Sequence, residues 1–161
     1  MLVWHDIFTG DQVMSDSFEI AAAIDSEGAS VPGLFRVDSK IIARGADSDE
    51  KVNNVIDEQA GFGYTQTYFE TKAELKAYLK QYFVRILNHL KGSGASGDEI
   101  DRFESDAVEI LKFLNPRFKD LQYYMFRSMA GDGGMAFAYY EPESHTPTFL
   151  YIRWGLEEVK S

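Results

Sequence analysis

The spacing of apolar residues along this chain changes period twice, from short strand-like runs to helical stripes and back again. Leu2–Phe8 alternates around Val3, His5 and Ile7 and predicts an initial strand, closed by a Thr9-Gly10-Asp11 turn. Phe18–Ile24 predicts a second short strand or a helical turn, and the Ala21–Ala23 run leaves both open. Ser26–Gly33 is turn-rich, after which Leu34–Val37 and Lys40–Ala43 predict a pair of strands. Gly45–Lys51 is acidic and polar and reads as a mobile loop, within a segment at about 44–51. Val52–Ile56 and Phe62–Phe69 resume strand character.

Helical spacing then takes over. Thr71 with Glu74, and Ser96 with Glu99, have the spacing of capping boxes, in which a hydroxyl accepts an orphan amide and the glutamate answers back. Leu75, Leu79, Tyr82, Phe83, Ile86 and Leu90 form one apolar stripe; Ile100, Phe103, Ala107, Ile110, Leu111 and Leu114 form another. Gly92–Gly97 separates them, so an antiparallel helical hairpin is predicted over about 71–114. Pro116 halts the second helix. Three aromatic runs follow, Phe118–Phe126, Met135–Tyr140 and Thr148–Trp154, joined by Gly131–Gly134 and Pro142–Pro147. Connections that short reverse the chain, so these runs predict an antiparallel meander and the whole an α+β domain.

Composition narrows the function classes. At 161 residues the chain fits one domain, and 45% hydrophobic with 14% aromatic residues argues for a folded core. The 26 acids against 16 bases leave a net charge of −10, which repels nucleic acid and anionic lipid and favours cationic protein patches or divalent cations as partners. The absence of cysteine excludes disulfides, thiolate metal sites and thiol catalysis, and it fits a reducing compartment. There is neither a leader-like start nor an apolar run long enough to span a bilayer, so a cytoplasmic protein is expected.

The residues offer no catalytic constellation. His5, His89 and His145 lack metal-ligand spacing. Gly131-Asp132-Gly133-Gly134 is glycine-rich but joins strands, without the helix N-terminus and following lysine that a phosphate loop needs. No G-x-S-x-G occurs, and Ser93 sits in the interhelical loop. The acid pairs Glu141 and Glu143, and Glu157 and Glu158, read as surface charge.

Several details carry a family resemblance. Phe118–Tyr124, Met129 ahead of an Asp-Gly turn, Tyr140, Thr146-Pro147 before the last aromatic run and the Gly155–Lys160 ending resemble the carboxyl end of the translationally controlled tumour protein family. Met1–Phe18, with Asp6, Asp11, Ser15 and Asp16, is similar to its amino terminus, and Thr71–Leu90 to its first long helix. Departures are Ile42–Glu50 where the family carries I-G-G-N-x-S-A-E, and Phe126-Arg127 where it carries Gly-Glu. The resemblance implies a tent-like, mostly antiparallel β-core with a projecting two-helix antiparallel hairpin. It implies a non-enzymatic protein-interaction role in growth, stress and microtubule-related regulation, with small GTPases, tubulin or anti-apoptotic proteins as partners.

Site expectations follow from that resemblance. Weak calcium binding is expected at Asp47, Asp49 and Glu50, which supply hard oxygens but lack the glycine of an EF-hand turn. Exchange-factor or chaperone activity toward a Ras-like GTPase is the alternative function, with contacts at Asp11, Gln12 and Asp16 on a solvated turn. Gln12 stands where the family has glutamate, keeping a carbonyl acceptor and losing the charge. An anti-apoptotic-protein motif aligns with Phe18–Asp25, where Ile20 and Asp25 persist and Ala21 replaces a basic residue. Ser161 stands where members often end in Cys, so no disulfide-linked dimer can form and a monomer is expected.

Overall fold

Two capped helices separate seven short strands from four later ones in a computed structural model that describes residues 1–160. The helices are α1 (Lys72–Gly92) and α2 (Gly97–Leu114). Thr71 Oγ1 accepts from the Glu74 amide at 3.2 Å and Ser96 Oγ from the Glu99 amide at 3.1 Å, as the spacing predicts. The answering arm of the first box differs: Glu74 Oε2 accepts from the Glu70 amide at 2.8 Å, because the extended chain before Thr71 brings that donor within reach. Acids at Asp98 and Glu99 open α2, and His89 and Lys91 close α1, each complementing the local helix dipole. After Leu114 the chain tightens into a 3₁₀ turn over Asn115–Asp120 that accommodates Pro116.

The strands are β1 (Leu2–Asp6), β2 (Gln12–Ser15), β3 (Ala21–Ile24), β4 (Ser30–Asp38), β5 (Ile41–Ala43), β6 (Lys51–Asn53), β7 (Thr65–Thr67), β8 (Gln122–Met125), β9 (Met135–Tyr139), β10 (Thr148–Ile152) and β11 (Leu156–Lys160). They form a six-stranded sheet in the order β3-β4-β10-β9-β8-β7, a three-stranded sheet in the order β11-β1-β2 and a β5-β6 hairpin. All pairings are antiparallel. The β8-β9-β10 meander stands where the aromatic runs place it.

Three expectations are corrected. Leu34–Val37 and Lys40–Ala43 do not pair with each other: β4 lies between β3 and β10, while β5 pairs with β6. β4 sends Leu34 into one apolar cluster and Phe35 into the other, so it takes an inner place in the sheet beside β10, whose five residues are all buried. β4 also runs through Pro32 and Gly33, which read as turn. Gly33 takes φ 83° beside a register shift in β3, and a Cβ there would lie 3.1 Å from Ile110 Cδ1, so the irregularity lets α2 settle on the sheet. Gln12, expected on the turn beside Asp11, instead opens strand β2, in which Val13 and Met14 are fully buried.

Two apolar clusters share the six-stranded sheet between its faces. One joins Leu75, Leu79, Tyr82, Ile86, Phe103, Ile110 and Leu114 of the helices to Leu34, Tyr123, Phe137, Leu150 and Ile152. The other packs Trp4, Val13 and Met14 of the small sheet against Phe35, Phe149 and Tyr151. Each fully buried side chain of this size contributes roughly 1.5–3 kcal/mol. The result is the α+β architecture expected, an antiparallel β-core with an attached helical hairpin.

Candidate functional site

The amino-terminal turn is where local sequence and distant partners converge most tightly. At the end of β1, Asp6 Oδ1 accepts the amides of Phe8 at 2.7 Å and Thr9 at 3.2 Å, an arrangement a short acidic side chain makes readily with the backbone just ahead of it. The Gly10 amide donates to the Asp6 carbonyl at 2.9 Å and the Asp6 amide to the Asp11 carbonyl at 2.8 Å, which closes the loop. Asp6 Oδ2 then accepts from the buried Gly134 amide at 2.6 Å, 128 residues along the chain. Asp6 is only 2% exposed. Burial pushes its carboxyl above the usual carboxylate range, outweighing the amides of Gly134, Phe8 and Thr9, and Asp11 adds to the rise.

Asp11 makes the second tie. Its Oδ2 accepts from the Ser128 hydroxyl at 2.5 Å, the Ser128 amide at 3.2 Å and the Thr9 hydroxyl at 3.0 Å. Two carboxylates thus bind the Asp6–Asp11 turn to the loop between β8 and β9. That loop is shaped from within, by Met129 at φ 54° and the hydrogen bond its amide donates to the Phe126 carbonyl at 2.9 Å. Tyr78 and Tyr82 of α1 support it from below. The Tyr78 hydroxyl donates to the Gly133 carbonyl at 3.2 Å. A Cβ on Gly134 or Gly155 would overlap the Tyr82 hydroxyl, so both positions need glycine for the helix to approach.

The three expected GTPase-contact residues are therefore placed differently from one another. Gln12 is exposed at the start of β2, opposite His5, and Asp16 is exposed just past its end. Four strand steps separate them by about 13 Å. Asp11 is half-buried and its carboxylate is committed to Ser128 and Thr9, which corrects the expected solvated turn. The Val13-Met14 pair was the sequence signal for a strand; Ser128, 117 residues away, left no signal at all.

The acidic loop is also organised. Arg44 pairs with Glu50 at 2.9 Å and with Asp57 through two nitrogens, and the Arg44 amide donates to the Glu50 carbonyl at 3.0 Å. The hydrogen bond to Arg44 holds the Asp57 carboxyl down at about 2, aided by the Ala60 and Gln59 amides. Asp47 and Asp49 are exposed, and Glu50 is turned to Arg44. Among the described residues no group of three or more His, Cys, Asp or Glu could hold a metal ion, so these three acids do not converge. Arg44 and Asp57 were missed because their pairing spans a turn whose course periodicity does not reveal.

The Phe18–Asp25 segment enters the sheet as β3, where Ala23 is buried. Presenting it as a helix to a partner requires stripping it from β4. No helix among the described residues is long and apolar enough to cross a membrane.

Comparison with known proteins agrees with this architecture. A family model described as "Translationally controlled tumour protein" matches residues 1–157. The chain is 34% identical over 177 residues to a translationally-controlled tumor protein homolog of Plasmodium yoelii yoelii, covering 99% of each chain. It is 34% identical over 173 residues to the Neurospora crassa homolog, again with 99% of each covered. Two solved structures share the fold. Translationally controlled tumor-associated protein p23fyp of Schizosaccharomyces pombe superposes with a TM-score of 0.77 at 23% identity, covering 100% of both chains. The Caenorhabditis elegans translationally-controlled tumor protein gives 0.68 at 20% identity, covering 100% of this chain and 99% of that one.

Proposed function

The chain belongs to the translationally controlled tumour protein family, and from that premise we propose that it is a non-enzymatic protein-interaction protein whose contact surface includes the amino-terminal hairpin. One observation carries the placement: Asp6 and Asp11 anchor the turn to Gly134 and Ser128, while Gln12 beside them faces solvent. A turn fixed before binding loses little conformational entropy on docking, so a rigid edge with one outward polar group suits recognition.

The finer reading is regulation of a small Ras-like GTPase, as exchange factor or chaperone. Family resemblance supports it by aligning Gln12 with an acidic contact residue. A neutral amide cannot repel phosphate or pair with a lysine as a carboxylate does, so activity through this position is weak. Restoring a charge-assisted contact with Gln12→Glu is worth about 1.5–3 kcal/mol, roughly tenfold to over a hundredfold in affinity or rate. Stability stays unchanged, because the side chain is exposed.

The test is to mix the purified chain with Ras-like GTPases loaded with fluorescent nucleotide. Accelerated release marks exchange activity, whereas a stable complex without release marks chaperone-like binding. Gln12→Glu strengthens whichever response occurs. A variant that changes neither binding nor release removes the amino-terminal hairpin as the contact.

A further inference from the structure

Helix α1 carries Lys72, Lys76, Lys80, Arg85 and Lys91 against the single acid Glu74, in a chain whose net charge is −10. Among the described residues, the side-chain ion pairs engage Arg36, Arg44, Lys112 and Arg153, and none involves a base of α1. Arg85 is the exceptional one. Its guanidinium lies over the rings of Phe8 at 5.4 Å and Tyr82 at 5.5 Å, and its Nε is buried without an acceptor.

Arg85 lines a shallow groove of about 490 Å³ with Tyr78, Lys80, Gln81, Val84 and Gly131. The Tyr78 hydroxyl is spent on Gly133, so this wall offers ring rather than donor. Val84 is 56% exposed. The groove thus sets two unpaired cations among hydrocarbon surfaces. We propose that it binds a carboxylate side chain of a partner protein. Arg85 and Lys80 pair with the acid, Gln81 donates beside them, and Val84 with the Tyr78 ring takes the adjoining apolar residue. A planar, singly charged anion flanked by hydrocarbon fits such walls, since a guanidinium offers two parallel donors to a carboxylate. A phosphate dianion is better served by a nest of converging backbone amides. The site stands whether or not Gln12 contacts a GTPase.

The experiment titrates the ¹⁵N-labelled full chain at low salt with the peptide Ac-Ala-Glu-Leu-Ala-NH₂, its Gln counterpart and inorganic phosphate. The Glu peptide shifts the Arg85 Nε–H signal and the amides of Val84 and Gly131. The Gln peptide binds roughly tenfold more weakly or worse, as loss of a charge-assisted pair requires. Salt at about 0.5 M weakens the Glu response, since the groove is open to solvent. Arg85→Met keeps an unbranched apolar side chain beside Phe8 and Tyr82 and gives up only the cation–π contact, so the variant stays folded yet loses the response about tenfold. Lys80→Gln, at an exposed position, weakens it by roughly threefold without touching stability. Unmoved signals, equal binding of Glu and Gln peptides, or a stronger response to phosphate each overturn the proposal. So does an Arg85→Met chain that loses stability while responding normally, because the arginine is then a structural residue.

Discussion

Removing the Asp6 carboxylate tests most directly whether the amino-terminal turn is held as described. In Asp6→Ala three amides lose their acceptor. The Gly134 N–H is buried, and an orphaned buried donor costs about 1–3 kcal/mol. The Phe8 and Thr9 amides are partly buried and regain some water, so each adds roughly 0.5–1 kcal/mol. Relief of the desolvation that raises the Asp6 carboxyl offsets part of this. The expected net loss is about 2–4 kcal/mol, or roughly 4–16 °C in Tm for a chain of this size. Urea denaturation with matched m-values measures it, and hydrogen exchange at Gly134 should accelerate. Asp6→Asn retains an oxygen for Phe8 and Thr9 but turns an NH₂ toward the Gly134 donor, so it should fall between wild type and alanine. The pH dependence has a definite sign. A carboxyl raised on folding contributes most below its unfolded value of 3.8, and the contribution is lost as pH rises through the folded value. The wild-type advantage over Asp6→Asn should therefore widen as the solution is acidified toward 3.8. An alanine variant within about 0.5 kcal/mol of wild type would refute the anchoring argument.

Other outcomes test the rest of the molecule. Phe103, 2% exposed and packed edge-on to Phe83 and Trp154, should cost about 3–5 kcal/mol on change to alanine, measured by chemical denaturation. An unchanged midpoint would remove that face of α2 from the core. Asp57, its carboxyl lowered to about 2 by Arg44, contributes stability above pH 3.8 that is lost as pH falls toward 2. Arg44→Ala should flatten that acid limb, and a limb of unchanged slope would show the pair to be inert. Calcium should bind only in the range of roughly 10⁻⁴–10⁻³ M, since Asp47, Asp49 and Glu50 must first gather and Glu50 must leave Arg44. Chemical-shift titration should localise the changes to these acids, and submicromolar affinity or shifts elsewhere would disprove the assignment.

Much of this fold is legible in the order of the amino acids, and the legible parts have a common cause. Capping at Thr71 and Ser96, the stripes of α1 and α2, and the β8-β9-β10 meander depend on residues within a few positions of one another. There helical period, side-chain capping and tight turns act locally. The candidate site was less legible. Asp11, Gln12 and Asp16 could be named, but not that the first is bound to Ser128 while the other two lie exposed at opposite ends of β2.

By itself, then, the sequence determined an α+β domain, its helical hairpin and the charge asymmetry that makes α1 basic in an acidic chain. Only the tertiary structure decided that β4 lies between β3 and β10, that β11 pairs with β1, and that Asp6 reaches Gly134. Strand partners and buried hydrogen-bond partners are selected by the burial that follows when distant segments meet. A carboxylate at position 6 is compatible with many surroundings. It acquires one function when burial removes water and leaves the Phe8, Thr9 and Gly134 amides as its donors.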